Sequence, residues 1–107
     1  LRLETRIAGG DANPYLAFAA IIAAGLDGID SGLPPVPPVA GSAYDADGQR
    51  MPTTLAEAVD LLDRSAFARA AFGDRVIDHY VNSGRHEVRA FESAVTDWEW
   101  TRSFERA

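Results

Sequence analysis

The chain contains no cysteine and no lysine. Without cysteine there is neither a disulfide framework nor a thiolate metal site, and cysteine usage carries no information about redox compartment. All ten basic residues are arginine, which reads as genomic compositional bias rather than as mechanism. Positive charge is in deficit, with 16 acidic residues against 10 basic ones and a net charge of −6. That balance argues against non-specific nucleic-acid binding and against docking on anionic membranes. No apolar run reaches the ~20 residues that cross a bilayer. The chain also lacks G-x-S-x-G, a P-loop, G-x-G-x-x-G and H-E-x-x-H, and the Gly9-Gly10 pair is too little to cradle a phosphate. There is no signal peptide and no initiating methionine, and the first residues read as the inside of a strand, so a fragment of a longer protein is expected. At 107 residues, 47% of them apolar, the chain is sized for one small domain with a core.

What is present begins at the N-terminus. From Leu1 to Ile7 the residues alternate: Arg2, Glu4 and Arg6 share one face, and Leu1, Leu3, Thr5 and Ile7 the other. This is the period-2 pattern of a half-buried strand, in which same-face neighbours stand roughly 6–7 Å apart. Two guanidinium groups at that spacing can reach one polyanion with a carboxylate between them. A strand this short needs partners from elsewhere. Gly9-Gly10-Asp11 reads as a turn. Asn13 is a strong N-cap, and Pro14 suits the first helical position, where its missing N–H costs nothing. A helix is expected from Pro14 to about Leu26, ended by Gly25 or Gly28. Tyr15 to Gly25 carries no charge, the pattern of a helix buried on all sides. Left exposed, that helix would form a large apolar patch, so self-association, or later helices folded over it, is expected.

Gly32 to Val39 reads Gly-Leu-Pro-Pro-Val-Pro-Pro-Val, an extended polyproline-like connector. Its two P-x-x-P registers lack the basic flank of an SH3 ligand. A polar loop follows from Gly41 to Gln49. Thr53 or Thr54 then caps a helix with Glu57 in capping-box position. The expected buried face of that helix is Leu55, Val59 and Leu62, with Ala58 beside them. Ser65 caps a short helix ended by Gly73, and Asp74 is expected to cap the longest helix. In it Phe72, Val76, Tyr80, Gly84, Val88, Phe91, Val95 and Trp98 recur at steps of three and four, with a bend at Asn82-Ser83-Gly84. The stretch Asp97–Trp100 either continues this helix or restarts at Thr96. There is no internal repeat.

Arg2-x-Glu4-x-Arg6 has two readings. One is a solvated ion-pair ladder of little energetic weight. The other is a metal-binding carboxylate flanked by phosphate forks, since Mg²⁺ and Mn²⁺ take carboxylate oxygens and arginine grips phosphate bidentately. One carboxylate is never a whole site, so further ligands must come from other sequence. His79 and His86 share one side of the last helix without a third ligand at metal spacing, and read as surface or packing residues. Asp60/Asp63 and Asp45/Asp47 read as helix and loop solvation. Trp98 and Trp100 read as core and interface.

Arg2-Leu3-Glu4-Thr5-Arg6, then Asp11-Ala12-Asn13-Pro14-Tyr15-Leu16 and Ala23-Ala24-Gly25-Leu26-Asp27-Gly28-Ile29, resemble the C-terminal part of glutamine synthetases. Both motifs occur in order at that family's spacing, and the likeness covers essentially residues 1–107. The tail Val95-Thr96-Asp97-Trp98-Glu99 with Phe104-Glu105 looks more like the γ-glutamyl-amine, or polyamine, ligase branch than the ammonia-using enzymes. The resemblance implies a mainly α chain with one short N-terminal strand, the C-terminal helical portion of an α+β catalytic domain. It implies that Glu4 binds the active-site metal near the ATP phosphates and that Arg6 holds the carboxylate side of glutamate and the transferring phosphoryl group. Arg2 then faces the nucleotide phosphates. Ala8 stands where many members have proline, which loosens that turn. Tyr44 falls near the loop that some bacterial members adenylylate, but the flanking residues differ.

The implied activity is an ATP- and Mg²⁺- or Mn²⁺-dependent ligase of nitrogen metabolism. It joins glutamate to ammonia or an amine through γ-glutamyl phosphate, in a cytoplasmic homo-oligomer without nucleic-acid or membrane partners. The chain alone is expected to be inactive, and the acceptor amine is not legible. The competing expectation is a non-catalytic helical interaction or oligomerisation module that keeps the family's scaffold.

Overall fold

A computed structural model describes residues 2, 4–42, 48, 50–104 and 106. The described residues form five helices and no strand: α1 (Pro14–Asp30), α2 (Leu55–Arg64), α3 (Ala66–Phe72), α4 (Asp74–Ser93) and α5 (Asp97–Ser103). The chain divides into two units, residues 1–49 and 50–107.

In the first unit the expected strand is not confirmed among the described residues. Residues 4–7 carry no strand pairing among the described residues, and Ile7, on the face expected to be half-buried, is 70% exposed. Alternation specifies which face a strand presents, whereas the strand itself exists only with a neighbour to complete its ladder. The turn forms as expected, with the Ala12 N–H donating to the Gly9 carbonyl at 3.1 Å. Asn13 caps α1: its side-chain oxygen accepts from the N–H groups of Tyr15 (3.0 Å) and Leu16 (3.4 Å), and Pro14 takes the first helical position.

Helix α1 passes both Gly25 and Gly28 and stops only after Asp30. Gly32 ends it. At φ +61° Gly32 adopts the left-handed conformation, its N–H donates to the Ile29 carbonyl at 3.1 Å, and the Leu33 N–H reaches back to the Gly28 carbonyl at 2.9 Å. That pair of bonds is a Schellman motif, which satisfies carbonyls the helix would otherwise leave open. Glycines inside a helix cost stability without ending it; the terminator is the glycine at which positive φ meets those reverse bonds. No residue of α1 is buried, contrary to the burial its composition predicts: Tyr15 is 84% exposed and Phe18 64%.

The second unit builds its own core. Thr54 and Glu57 form the expected capping box at the start of α2, and Ser65 caps α3 through the Ala68 N–H at 3.1 Å. Gly73 ends α3 with φ +82° and is also the N-cap of α4, so Asp74 is the first helical residue and not the cap. Helix α4 packs on α2 and α3. The core is Val59, Ala68, Ile77 and Val81, with Leu62 and Phe72 packed against it. On α4 the inward row is therefore Ile77 and Val81 with half-buried Gly84 and Val88, one residue away from the expected Val76 and Tyr80, which are exposed. On α2, Leu55 is exposed rather than buried.

The register has a steric reason at Gly84. A Cβ there would lie 2.4 Å from Val59 Cγ2, so the missing side chain lets α2 approach α4. Gly84 lies inside an unbroken helix, where the sequence suggested a bend. A separate capping box, Thr96 with Glu99, begins α5, so the helix restarts at Thr96. Trp98 and Trp100 are exposed rather than in a core, and Trp100 stacks on Phe104 with ring centroids 5.2 Å apart.

Candidate functional site

Arg2 and Arg6 both bring their guanidinium groups to the Glu4 carboxylate. The Arg6 Nε–H donates to Glu4 Oε1 at 2.7 Å. Arg2 approaches the other carboxylate oxygen, its guanidinium nitrogen standing 3.9 Å from Oε2, an ion pair longer than a hydrogen bond. The carboxylate is thus bracketed unequally, tied to Arg6 and loosely attended by Arg2. All three groups are largely open to solvent. The alternating sequence alone foretells this juxtaposition, because i, i+2 and i+4 share a face whenever the backbone is extended, paired or not. Leu1 and Leu3, the other half of the alternation, lie outside the described residues.

The donor chemistry suits a hard divalent cation in kind but not in number. Glu4 offers carboxylate oxygens, and such an ion fills six or more positions. Among the described residues no group of three or more His, Asp or Glu side chains could hold a metal ion. His79 packs edge-to-face on Tyr80, ring centroids 5.3 Å apart, and His86 is exposed. Tyr44, Asp45 and Asp47 lie outside the described residues.

A second charged cluster escaped the sequence reading. Arg69 of α3 donates to Asp63 Oδ1 of α2 at 2.6 Å, to Asp74 and Asp78 of α4 at 2.9 Å each, and through Nε to the Asp63 backbone carbonyl at 3.0 Å. Arg85 of α4 donates to the other oxygen of Asp63 at 2.7 Å. The hydrogen bonds from Arg85 and then Arg69 hold the Asp63 carboxyl below its ordinary range, and Asp74, then Asp78, raise the Arg69 guanidinium above its own. A carboxylate so engaged is ionised at neutral pH and has its oxygens taken by guanidinium groups, so the cluster fastens three helices. The available signal was Asp74 and Asp78 at i, i+4 with Asp60 and Asp63 towards the end of α2. Such spacing is common on solvated helices, so the arginine between them did not stand out.

The chain matches the sequence model "Glutamine synthetase, catalytic domain" over residues 1–103. It belongs to the glutamine synthetase catalytic-domain family. Relatives include the gamma-glutamylethanolamide synthetase of Streptomyces coelicolor, 56% identical over 99% of this chain and 23% of that protein. Another is a type-1 glutamine synthetase of Dictyostelium discoideum, 38% identical over 97% of this chain and 21% of that protein. The glutamate–isopropylamine ligase of a Pseudomonas species is 36% identical over 94% of this chain and 23% of that protein. The chain therefore spans about a quarter of the length of these relatives. Members named as glutamine synthetase and as γ-glutamyl amine-forming enzymes both stand among them, which is consistent with the amine-ligase branch. No helix among the described residues is long and apolar enough to cross a membrane.

Proposed function

We propose that the chain is the C-terminal part of an ATP-dependent ligase that joins the γ-carboxylate of glutamate to an amine. In this reading ATP phosphorylates the γ-carboxylate with release of ADP. The amine nitrogen then attacks the acyl phosphate, losing a proton as the C–N bond forms, and phosphate leaves. Arg6 binds the transferring phosphoryl group and the adjacent carboxylate, using the guanidinium edge that Glu4 leaves open. Arg2, which holds Glu4 only loosely, turns to the nucleotide phosphates. Glu4 is one ligand of a Mg²⁺ or Mn²⁺ ion, with the remaining ligands from sequence outside this chain. When bound, such an ion supplies charge neutralisation on the transferred phosphoryl.

The observation that carries the reading is the Arg2–Glu4–Arg6 cluster at the head of a chain matched to this family over 103 residues. The amine-named relatives at 56% and 36% identity support an organic amine as acceptor. The working enzyme is a cytoplasmic homo-oligomer, and the 107-residue chain alone is inactive because it brings a single metal ligand. The exposed apolar surface of α1 supports the alternative of a non-catalytic assembly module.

One experiment separates the two readings. The full-length protein is assayed for glutamate- and ATP-dependent phosphate release with ammonia, ethanolamine, isopropylamine and a polyamine, beside the isolated chain. Turnover by the full-length protein with an organic amine and none by the isolated chain is expected. No turnover with any acceptor favours the assembly module, and turnover by the isolated chain refutes the claim that one ligand is insufficient.

A further inference from the structure

Helix α4 has a second face. Ile77 and Val81 turn inward among the core residues, but Val76, Tyr80, Ser83, Glu87 and Phe91 recur at steps of three and four on an adjoining stripe. All five are exposed, Phe91 by 73%. Beside Phe91, where α2 begins, lies an open groove of about 600 Å³ lined by Leu55, Val88 and Phe91, with Glu87 at its edge. Further round the helix Asp78 and Arg85 are spent on Arg69 and Asp63. Among the described residues the Glu87 carboxylate and the His79 imidazole take no ion pair or hydrogen bond. Eight residues apart, they stand about 12 Å from each other along the helix, too far to pair. His79 instead packs edge-to-face on Tyr80, so two side-chain donors sit together near the N-terminal end of the stripe. The acceptor sits near the other end.

We propose that this face docks a second copy of the chain, α4 against α4 in antiparallel, about a two-fold axis beside Ser83. The stripe is complementary to itself in that direction only. Antiparallel pairing sets Glu87 of each copy against Tyr80 and His79 of the other, and Val76 against Phe91 at the edge of the groove. Each contact occurs twice, as an isologous interface requires. Parallel pairing sets Glu87 against Glu87 and Phe91 against Phe91, so like charges meet and the donors lose their acceptor. Ser83 at the axis and Ala90 beside it are small, so the two helices can approach to the 8–10 Å of ordinary helix packing. A single helix pair is smaller than the ~1,600 Å² of a standard interface. The contact is therefore one element of a larger assembly. The inference rests on the proposed homo-oligomer and names a surface for it, and turnover is not its readout.

The test is oxidative cross-linking of the full-length protein carrying Ser83→Cys, beside Asn82→Cys, with the linked peptides identified by mass spectrometry. Residues 1–107 contain no cysteine of their own. Two copies paired about the axis bring position 83 of each within the Cβ–Cβ reach of a disulfide, about 4 Å. Position 82, also exposed, lies about 100° round the helix and points away. Ser83→Cys is expected to link position 83 to position 83, and Asn82→Cys is not. In the Ser83→Cys background, Glu87→Lys and His79→Glu are each expected to slow linking about fivefold, by setting like charges or unmatched donors together. The two combined exchange the charges across the axis and are expected to restore it to within about twofold. All these positions are exposed, and circular dichroism checks that the helices persist. Equal linking at positions 82 and 83, or linking that ignores both charge changes, overturns the proposal. An oligomer by sedimentation without linking at position 83 sinks this contact and leaves the homo-oligomer standing. A monomer sinks both.

Discussion

Helices α1 and α4 are the two long helices of the chain, and they are held in opposite ways. The 20 residues of α4 are amphipathic, bury Ile77 and Val81, and are tied through Arg69 and Arg85 to α2 and α3. The 17 residues of α1 are uncharged as far as Leu26, include none that is buried, and have no acidic residue in the first turn and no basic residue in the last. Asp27 and Asp30 stand at the negative end of its dipole, the unfavourable end for a carboxylate. Only Asn13, Pro14 and the Gly32 motif define α1, and they act at its ends. The unit that contains α1 also carries Arg2, Glu4 and Arg6. The residues proposed to carry the family's chemistry thus sit in the region with the least packing of its own, and the self-supporting region carries none of them. Under that proposal the segment takes its remaining metal ligands from sequence outside it.

The comparison breaks most visibly in hydrogen exchange on the isolated chain at low concentration. Central amides of α4 are expected to exchange only through opening of the second unit. Those of α1 should exchange far faster, since a lone helix of this length is marginal in water. Equal protection in the two helices would erase the distinction. Next in size is Gly84→Ala. Its Cβ meets Val59 Cγ2 at 2.4 Å, and Val59 is both buried and β-branched, so it yields poorly. Overpacking outweighs the gain in helix propensity, and we expect a loss of about 1–3 kcal/mol in denaturant unfolding, partly recovered in a Val59→Ala background. A neutral result would mean that α2 and α4 can separate at no cost.

Removal of the Thr54 cap by Thr54→Ala is expected to cost about 1 kcal/mol, read from the same unfolding curves. A smaller effect is expected from pH. Asp63 titrates lower in the folded chain than its ordinary value of 3.8, so its contribution to stability is complete above that value and is lost as pH falls through the lowered one. Thermal unfolding of the second unit should therefore weaken below about pH 4 in the wild type and less steeply in Asp63→Asn. Identical acid slopes would show that the Arg69–Asp63–Arg85 cluster adds no pH-dependent stability.

Local signals in the sequence proved accurate where the cause was local. The caps at Asn13, Thr54 and Ser65, the turn at Gly9, and the restart at Thr96 each follow from hydrogen bonds within a few residues. The end of α1 was misplaced because Gly25 and Gly28 carry the same residue signal as Gly32 but lack the reverse bonds that make a terminator. On α4 the expected row held at Phe72, Gly84 and Val88 but missed by one residue at Val76 and Tyr80, where the adjacent Ile77 and Val81 turn inward instead. The strand expected at the N-terminus is not confirmed among the described residues for a different reason, since pairing belongs to two segments and one sequence segment shows only half of it. The ion pairing of Arg2 and Arg6 with Glu4 was legible, because residues two apart in an alternating segment fall together without help from tertiary structure.

The account turns on Glu4. The most direct measurement is kcat/KM for amine-dependent phosphate release by the full-length protein with Glu4 replaced by Gln, an uncharged isostere that keeps the shape and discards the charge. We predict a loss of about a hundredfold or more with the fold intact. Wild-type turnover by a folded Glu4→Gln protein would contradict the account.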